Sequence, residues 1–356
     1  MFYTLSIKDI RQETEDCRSI AFEVPAKLSE KFKFTQGQYL TLRAEINGQD
    51  VRRSYSICSS PLDGELRVAI KKIENGKFST FAHEILKTGD TLDSMVPMGT
   101  FYSTLEASQK KHYIGVATGS GITPIMSIMK TVLQIEPNSH FTLLYGNRNT
   151  GSILFREEIQ ALKNQYIDRL SVFHFLSRER LDTPIFNGRI DGEKCLALNQ
   201  KLIDLSKIDE FFLCGVQQMM FSVKEALESL QVDAKKVHFE LFTSPDGMLG
   251  NAKRKKRTVE KDKVCKVSVT VEGSSFDFDL DFGANNLLDA AMAEGADLPF
   301  ACKGGVCCTC KAKVLEGEVE MEVNYALEKE EVEAGFILSC QAYPKTERVV
   351  LDFDQL

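Results

Sequence analysis

The stretch ACKGGVCCTC, residues 301–310, places four thiols within nine positions: Cys302, Cys307, Cys308 and Cys310. Thiols this dense can form disulfides, hold a zinc ion or hold an iron-sulfur cluster. Cys302, Cys307 and Cys310 have the spacing C-x4-C-x2-C, and 29 residues separate Cys310 from Cys340. That is the plant-type [2Fe-2S] pattern. Four thiolates hold two irons, while Gly304 and Gly305 remove side chains where the backbone must fold over the inorganic sulfides and offer N–H donors. Zinc sites usually present two separated C-x2–4-C pairs, whereas here one loop supplies three candidates and the fourth is solitary; on spacing alone zinc stays open. Cys308, bracketed by two ligands, is expected to point away from the metal.

Two other stretches carry binding chemistry. In GVATGSGITP, a strand-like run leads through Thr118, Gly119, Ser120 and Gly121 into a helical pattern, so backbone N–H groups can approach a pyrophosphate at the helix N-terminus. Further on, FLSRER puts Ser177, Arg178 and Arg180 at the carboxyl end of a strand, where an arginine can pair with a 2'-phosphate, which favours NADPH over NADH. In RRSYSICSSP, Arg53 and Tyr55 share one face of a strand while Ser54 and Ser56 point the other way. Arg53 can hold a phosphate, Tyr55 can stack on a flat ring and Ser56 can hydrogen-bond its edge.

The elements that must position these residues fall into three textures. Residues 1–106 alternate in β-branched stretches such as YLTLRAEI and LRVAIKKI between Gly, Asn and Asp turns, which predicts an antiparallel β-barrel with one helix near FSTFAHEILKTG. Residues 107–243 alternate apolar strand runs with helical patterns (HYIGVAT, PIMSIMKTVLQ, FTLLYGN, FREEIQALKNQY, LSVFHFLS, EFFLCG, MMFSVKEALESL, KVHFELF), the signature of an α/β doubly wound parallel sheet. Residues 244–263, with five consecutive basic side chains, read as an exposed linker. Residues 264–356 open with two alternating strands around a Gly-containing turn, then NNLLDAAMAEG with Gly295 as its helical stop, which predicts a small α+β domain carrying the cysteines.

Composition narrows the function classes. At 356 residues, 43% hydrophobic and 27% charged, the chain reads as a multidomain soluble protein. No apolar run reaches the roughly 18 residues of a membrane span, and MFYTLSIKDIRQETED shows no export signal, so a cytoplasmic location is expected, with thiols kept reduced and disulfides disfavoured. Net charge is −7, but from Val264 onward 7 Lys/Arg face 18 Asp/Glu, a local balance of −11. Such a surface repels nucleic acid and can steer a basic protein partner. The KRKKR run is single, lacks interleaved aromatics and is flanked by acids, so it reads as solvated rather than as a nucleic-acid site.

The order RSYS at 53–56, GKFS at 76–79, GSGITP at 119–124, YGNR at 145–148, SRE at 177–179 and FLCG at 212–215 resembles ferredoxin-NADP reductase relatives over about the first 242 residues. With the C-terminal ferredoxin-like cysteines, the chain resembles reductase components of multicomponent oxygenases, those of phenylacetyl-CoA epoxidases and the similar hybrid-cluster-protein reductases above all. The resemblance implies an FAD-binding barrel (FMN being used by some relatives), an NADP domain and a β-grasp ferredoxin domain. It places Arg53, Tyr55 and Ser56 on the flavin, and Gly76, Lys77, Phe78 and Ser79 at the helix start that holds its diphosphate. It assigns Thr118, Gly119, Gly121, Arg148, Ser177 and Arg178 to the dinucleotide, and sets Cys214 and Gly215 beside the nicotinamide. Glu240 and Phe242 would close the flavin site, and Ser56, Cys214 and Glu240 would flank the reaction centre.

A hydride donor gives two electrons and a [2Fe-2S] cluster takes one, so a flavin must stand between them; with that flavin expected upstream, the zinc reading is set aside. NADPH as donor and an oxygenase or other redox protein as acceptor follow, with the chain a monomer or one part of a multisubunit oxygenase. An aromatic-ring dioxygenase or desaturase partner and a non-enzymatic redox sensor are the alternatives.

Overall fold

Period-two burial builds the first sheet. In strand β1 (Tyr3–Thr14), Leu5 and Ile7 are buried while Thr4 and Ser6 face water, as a half-buried antiparallel strand requires. The computed structural model describes residues 1–242 and 260–355; the KRKKR run and residues 244–259 of the expected linker lie outside the described residues. Two compact units divide the chain after Phe242, and each is described by itself.

In the first unit, β1, β2 (Cys17–Glu23), β3 (Tyr39–Ile46), β4 (Gln49–Ser56), β5 (Leu66–Lys71) and β6 (Thr91–Ser94) form one antiparallel sheet in the order β4-β3-β6-β1-β2-β5. The bridge Ile57↔Val68 and the Cys58 N–H to Arg67 carbonyl bond close it into a barrel. Helix α1 (Lys77–Glu84) caps the barrel, burying Phe78 among Leu40, Leu42 and Ile70.

The parallel part follows: β7 (His112–Thr118), α2 (Ile122–Ile135), β8 (His140–Asn147), α3 (Arg156–Gln165), β9 (Leu170–Leu176), α4 (Gly192–Lys201), β10 (Glu210–Gly215), α5 (Gln217–Ser229) and β11 (Val237–Leu241). The sheet order β11-β10-β7-β8-β9 reverses direction between β7 and β10. Ligands of doubly wound sheets bind at the carboxyl ends of the strands flanking such a reversal. Helix α2 is apolar nearly all round because both of its faces are covered: it packs on the sheet, and its Ser127 hydroxyl donates to the Ser59 carbonyl of the barrel side at 2.6 Å. Barrel residues Cys17, Cys58 and Ala69 share one core with Ile125, Met129 and Phe212. Helix α4 was not expected from the sequence.

The second unit is a mixed sheet of β12 (Glu260–Val271), β13 (Ser274–Phe282), β14 (Lys311–Glu316), β16 (Phe336–Leu338) and β18 (Arg348–Asp352), ordered β13-β12-β18-β14-β16. Strands β12 and β18 run parallel while their other neighbours are antiparallel. A two-stranded ribbon joins β15 (Val319–Met321) to β17 (Ala342–Pro344). Helix α6 (Leu287–Ala293) lies over the core with Asn286 as its N-cap and is followed by Gly295 at φ +94°; α7 (Lys329–Glu333) is a single short turn. Strand β12 starts at Glu260, four residues before the ferredoxin segment was expected to begin, so residues 260–263 are strand, not linker. Among the described residues no helix is long and apolar enough to cross a membrane.

Candidate functional site

The cysteine loop bridges α6 and β14. Cys302 and Cys307 face each other, sulfur to sulfur at 3.1 Å. Cys310 lies against Cys340 instead, close enough that the neighbouring sulfur pushes its thiol up. The four candidate ligands thus lie as two neighbouring pairs, with the Cys307 and Cys302 sulfurs also acting on Cys310. Two adjacent pairs suit two irons.

The Gly304 N–H points at Cys302 Sγ at 3.3 Å. Together with the N–H groups of Val306 and Cys307 and the Cys307 thiol, it holds Cys302 below its usual range despite burial. Gly305 at φ +72° sits where a Cβ would lie 2.8 Å from the Val323 carbonyl oxygen, so the turn accepts glycine there. Cys308 does turn away, with its thiol donating to the Ala326 carbonyl at 3.2 Å.

In the first unit, the carboxyl ends of β7 and β10 meet at the reversal. Gly119 adopts φ +54° in a tight turn before α2. A Cβ on Gly121 would fall 2.2 Å from the Cys214 carbonyl oxygen. That glycine therefore lets α2 approach β10, beyond any role in admitting a phosphate. Thr118 Oγ1 accepts the Val216 N–H at 2.9 Å and occupies the space beside Gly215, whose Cβ would lie 2.0 Å from it.

Strand register sets Cys214 opposite Glu240 on β11, and the Ser56 hydroxyl donates to Glu240 Oε2 at 3.0 Å. Ser56, Cys214 and Glu240, distant in sequence, are thus brought together. Burial pushes Glu240 up to about 7, partly offset by the Ser56 bond. Burial also drives the Cys214 thiol well up, with the Glu240 charge adding to it, so Cys214 is a neutral thiol near pH 7.

On the barrel, Tyr55 packs against Phe78 with ring centroids 5.6 Å apart, and Arg53 Nη1 donates to the Arg52 carbonyl. Phe78 and Ser79 are buried, so only their backbone is available to a ligand. Gly76 leaves no room for a side chain, since a Cβ would lie 2.4 Å from both Ile73 Cγ1 and Ser79 Oγ. Lys77 Nζ donates to Gln49 at 2.7 Å. Phe242 is 40% exposed just past β11.

After β9, Ser177 N–H and Oγ both donate to the Asn147 carbonyl, and Arg178 N–H donates to that of Arg148. The Arg148 and Arg178 side chains are exposed. Glu179, the acid between Arg178 and Arg180, accepts the Thr150 N–H and hydroxyl, both at 2.7 Å.

Family models match in three places: an oxidoreductase FAD-binding domain at 4–102, an oxidoreductase NAD-binding domain at 116–225 and a 2Fe-2S iron-sulfur cluster binding domain at 269–345. The chain is 45% identical to one of the subunits of the 1,2-phenylacetyl-CoA epoxidase of Escherichia coli K12, covering 99% of this chain and 98% of that one. The chain belongs to this family of FAD- and 2Fe-2S-containing reductases. It is also 33% identical to the ferredoxin reductase component of 3-ketosteroid-9-alpha-monooxygenase from Rhodococcus rhodochrous, over 98% of this chain and 96% of that one. Among solved structures, phthalate dioxygenase reductase shares the fold at TM-score 0.56 and 21% identity, over 99% of this chain and 98% of that one.

The reductase also uses residues that motif reading missed. Gln341 Nε2 donates to the Lys303 carbonyl at 3.0 Å, and the Ser339 N–H and hydroxyl both donate to the Cys310 carbonyl. These bonds fasten the segment bearing Cys340 to the cysteine loop. Their one sequence signal is adjacency to Cys340 in SCQ.

Proposed function

We propose that the reductase oxidises NADPH and passes electrons through FAD and a [2Fe-2S] cluster held by Cys302, Cys307, Cys310 and Cys340 to an oxygenase, in the cytoplasm, as a monomer or as one part of a multisubunit oxygenase. The observation that carries this reading is the division of the four cysteines into two facing pairs within a chain that also assembles a flavin barrel and a parallel sheet. A flavin held here would supply the link between a two-electron hydride donor and a one-electron cluster.

The chain's own groups do the rest by placement. Arg53 and Lys77 offer cations to the flavin phosphates while the first turn of α1 adds N–H groups. Tyr55 offers a flat face to the ring. Ser56 and Glu240 hold a proton in a hydrogen-bonded pair at the end of β11. Cys214, neutral and buried, provides a compact apolar floor at the reversal, and Gly119 and Gly215 keep side chains out of the nicotinamide's way, with Phe242 screening solvent. Arg148 and Arg178 make no salt bridge among the described residues and are available to a 2'-phosphate. Glu179, the acid beside Arg178, is engaged by the Thr150 N–H and hydroxyl. Identity to the phenylacetyl-CoA epoxidase protein makes an oxygenase acting on an aryl-acetyl thioester the first partner to test.

The test is NADPH-dependent product formation by a purified phenylacetyl-CoA epoxidase oxygenase with this reductase, run beside NADH. Arg178→Ala should raise KM for NADPH about tenfold and leave NADH unchanged, about 1.4 kcal/mol of binding. Equal effects on both nucleotides would remove the 2'-phosphate assignment, and absence of product with active cytochrome c reduction would remove the partner.

A further inference from the structure

Outside the reaction centre, α3 and the edge strand β9 enclose a groove of about 820 Å³. Its floor is apolar, formed by Ile153, Ile159, Val172, Leu176 and Leu181, and its size lies within the range of small-molecule sites. Thr150 is engaged by Glu179 and Gln160 by Asn164, but two cationic side chains, Lys163 and Arg156, also line it. Lys163 is half-buried and, among the described residues, has neither a salt bridge nor a hydrogen bond. Arg156 stands at the Thr150 end, where its charge is felt by Glu179. Glu157 is the only carboxylate among the lining residues.

His174, on the β9 side, has Nδ1 buried with no hydrogen-bond partner among the described residues. Its Nε2 has none among them either and is not sealed from solvent as Nδ1 is. Placing the ring hydrogen on Nε2 leaves only a lone pair in the sealed position and presents an N–H donor on the accessible side. Burial and the charges of Lys163 and Arg156 favour that neutral ring. An apolar trough with a cation and an N–H donor, and little competing acid, has the recognition chemistry of a carboxylate on an apolar body.

We propose that the groove between α3 and β9 is a second ligand site of this reductase, taking a small amphipathic carboxylate whose head meets Lys163 and His174 and whose body covers Val172 and Ile159. The groove approaches the expected dinucleotide site at Thr150, Ile153, Arg156, Leu176 and Leu181, whereas Val172 and Lys163 lie toward the other end of the strand and helix. The carboxylate site is therefore distinct from the seat of the nucleotide.

Isothermal titration of the cofactor-loaded, full-length reductase with octanoate tests this. One saturable site is expected, weakened about tenfold in Lys163→Glu and about fivefold in His174→Phe, which keeps a ring but no N–H. Both variants should reduce cytochrome c with NADPH at the parental rate, which shows that they are folded. Saturating 2',5'-ADP should leave octanoate binding unchanged. The proposal is overturned by absence of a saturable site, by equal affinity in the parent and both variants, or by displacement with 2',5'-ADP, which would give the groove to the dinucleotide.

Discussion

Ser56→Ala isolates the Ser56–Glu240 pair. The Ser56 hydroxyl donates to the Glu240 carboxylate at 3.0 Å, and Glu240 is pushed up to about 7 by burial with that bond pulling the other way. A hydrogen bond to a charged group is worth about 1.5–3 kcal/mol, and one pKa unit is about 1.36 kcal/mol. Removing the donor should therefore move the Glu240 midpoint upward by about one unit, the lower bound applying because water can replace the hydroxyl. The assay is infrared difference spectroscopy of the protonated carboxyl band, titrated from pH 5 to 9 and assigned by its loss in Glu240→Gln. The same group links pH to stability. Its folded value lies above its ordinary 4.5, so the folded state holds the extra proton. The stabilisation is complete below about pH 4.5 and is lost as pH rises through about 7, by about 3 kcal/mol in all. Glu240→Gln should lack that decline in denaturant unfolding of the full chain. An unchanged midpoint in Ser56→Ala, or an unchanged decline in Glu240→Gln, would refute the reasoning.

Cys308→Ser should retain the iron and sulfide content of the parent, whereas Cys307→Ser should lose the cluster's visible absorption; loss of iron in the Cys308 variant would reverse the ligand assignment. Gly121→Ala should cost several kcal/mol, of the order of the largest single-site effects, because its Cβ would lie 2.2 Å from a backbone oxygen that cannot rotate away; a melting temperature within 2 °C of the parent, a shift of about 1 kcal/mol or less, would show that the close approach is relieved at little cost. Thr118→Val should lower kcat/KM for NADPH with little change in melting temperature, since the freed Val216 N–H is near solvent, and Thr118→Ser should restore it; failure of the serine variant to rescue would count against the hydroxyl's role. Raising salt from 50 to 500 mM should slow electron delivery to a protein acceptor, the Debye length falling from about 14 to about 4 Å, and spare delivery to a small neutral dye; equal slowing of both would remove the acidic surface as a docking face.

The elements around the site differ in how plainly the sequence announces them. HYIGVAT and EFFLCG coincide with β7 and β10 residue for residue, because a strand covered on both faces is an unbroken apolar run that ends where Gly ends it. Helix α4 escaped notice because GEKCLALNQK buries only Gly192, Cys195 and Leu198, too few positions to show a period. Strands β15, β16 and β17 are three residues each, shorter than any pattern of alternation. The cysteine spacing was legible because one loop writes three ligands in a row. The pairing of Thr118 with Val216 was not, because the two lie 98 positions apart and only the sheet order brings the hydroxyl to the N–H. Motif reading named Gly121 for phosphate approach; its contact with Cys214 across two strands is tertiary and leaves no local mark.

The asymmetry of the two cysteine pairs bears on how the second unit assembles. Cys302 and Cys307 meet within one turn of chain, while Cys310 and Cys340 are brought together by the pairing of β14 with β16 and by the Ser339 N–H bond to the Cys310 carbonyl. Closing a loop of that length costs about 3 kcal/mol in chain entropy. Two irons shared between a local pair and a distant one would act as a rivet through that loop, so cofactor insertion and completion of the sheet become one cooperative event. Amide hydrogens of Ala312, Ile337 and Ser339 should then exchange together on cluster loss, while those of β12 and β13, which no ligand ties, should keep their protection.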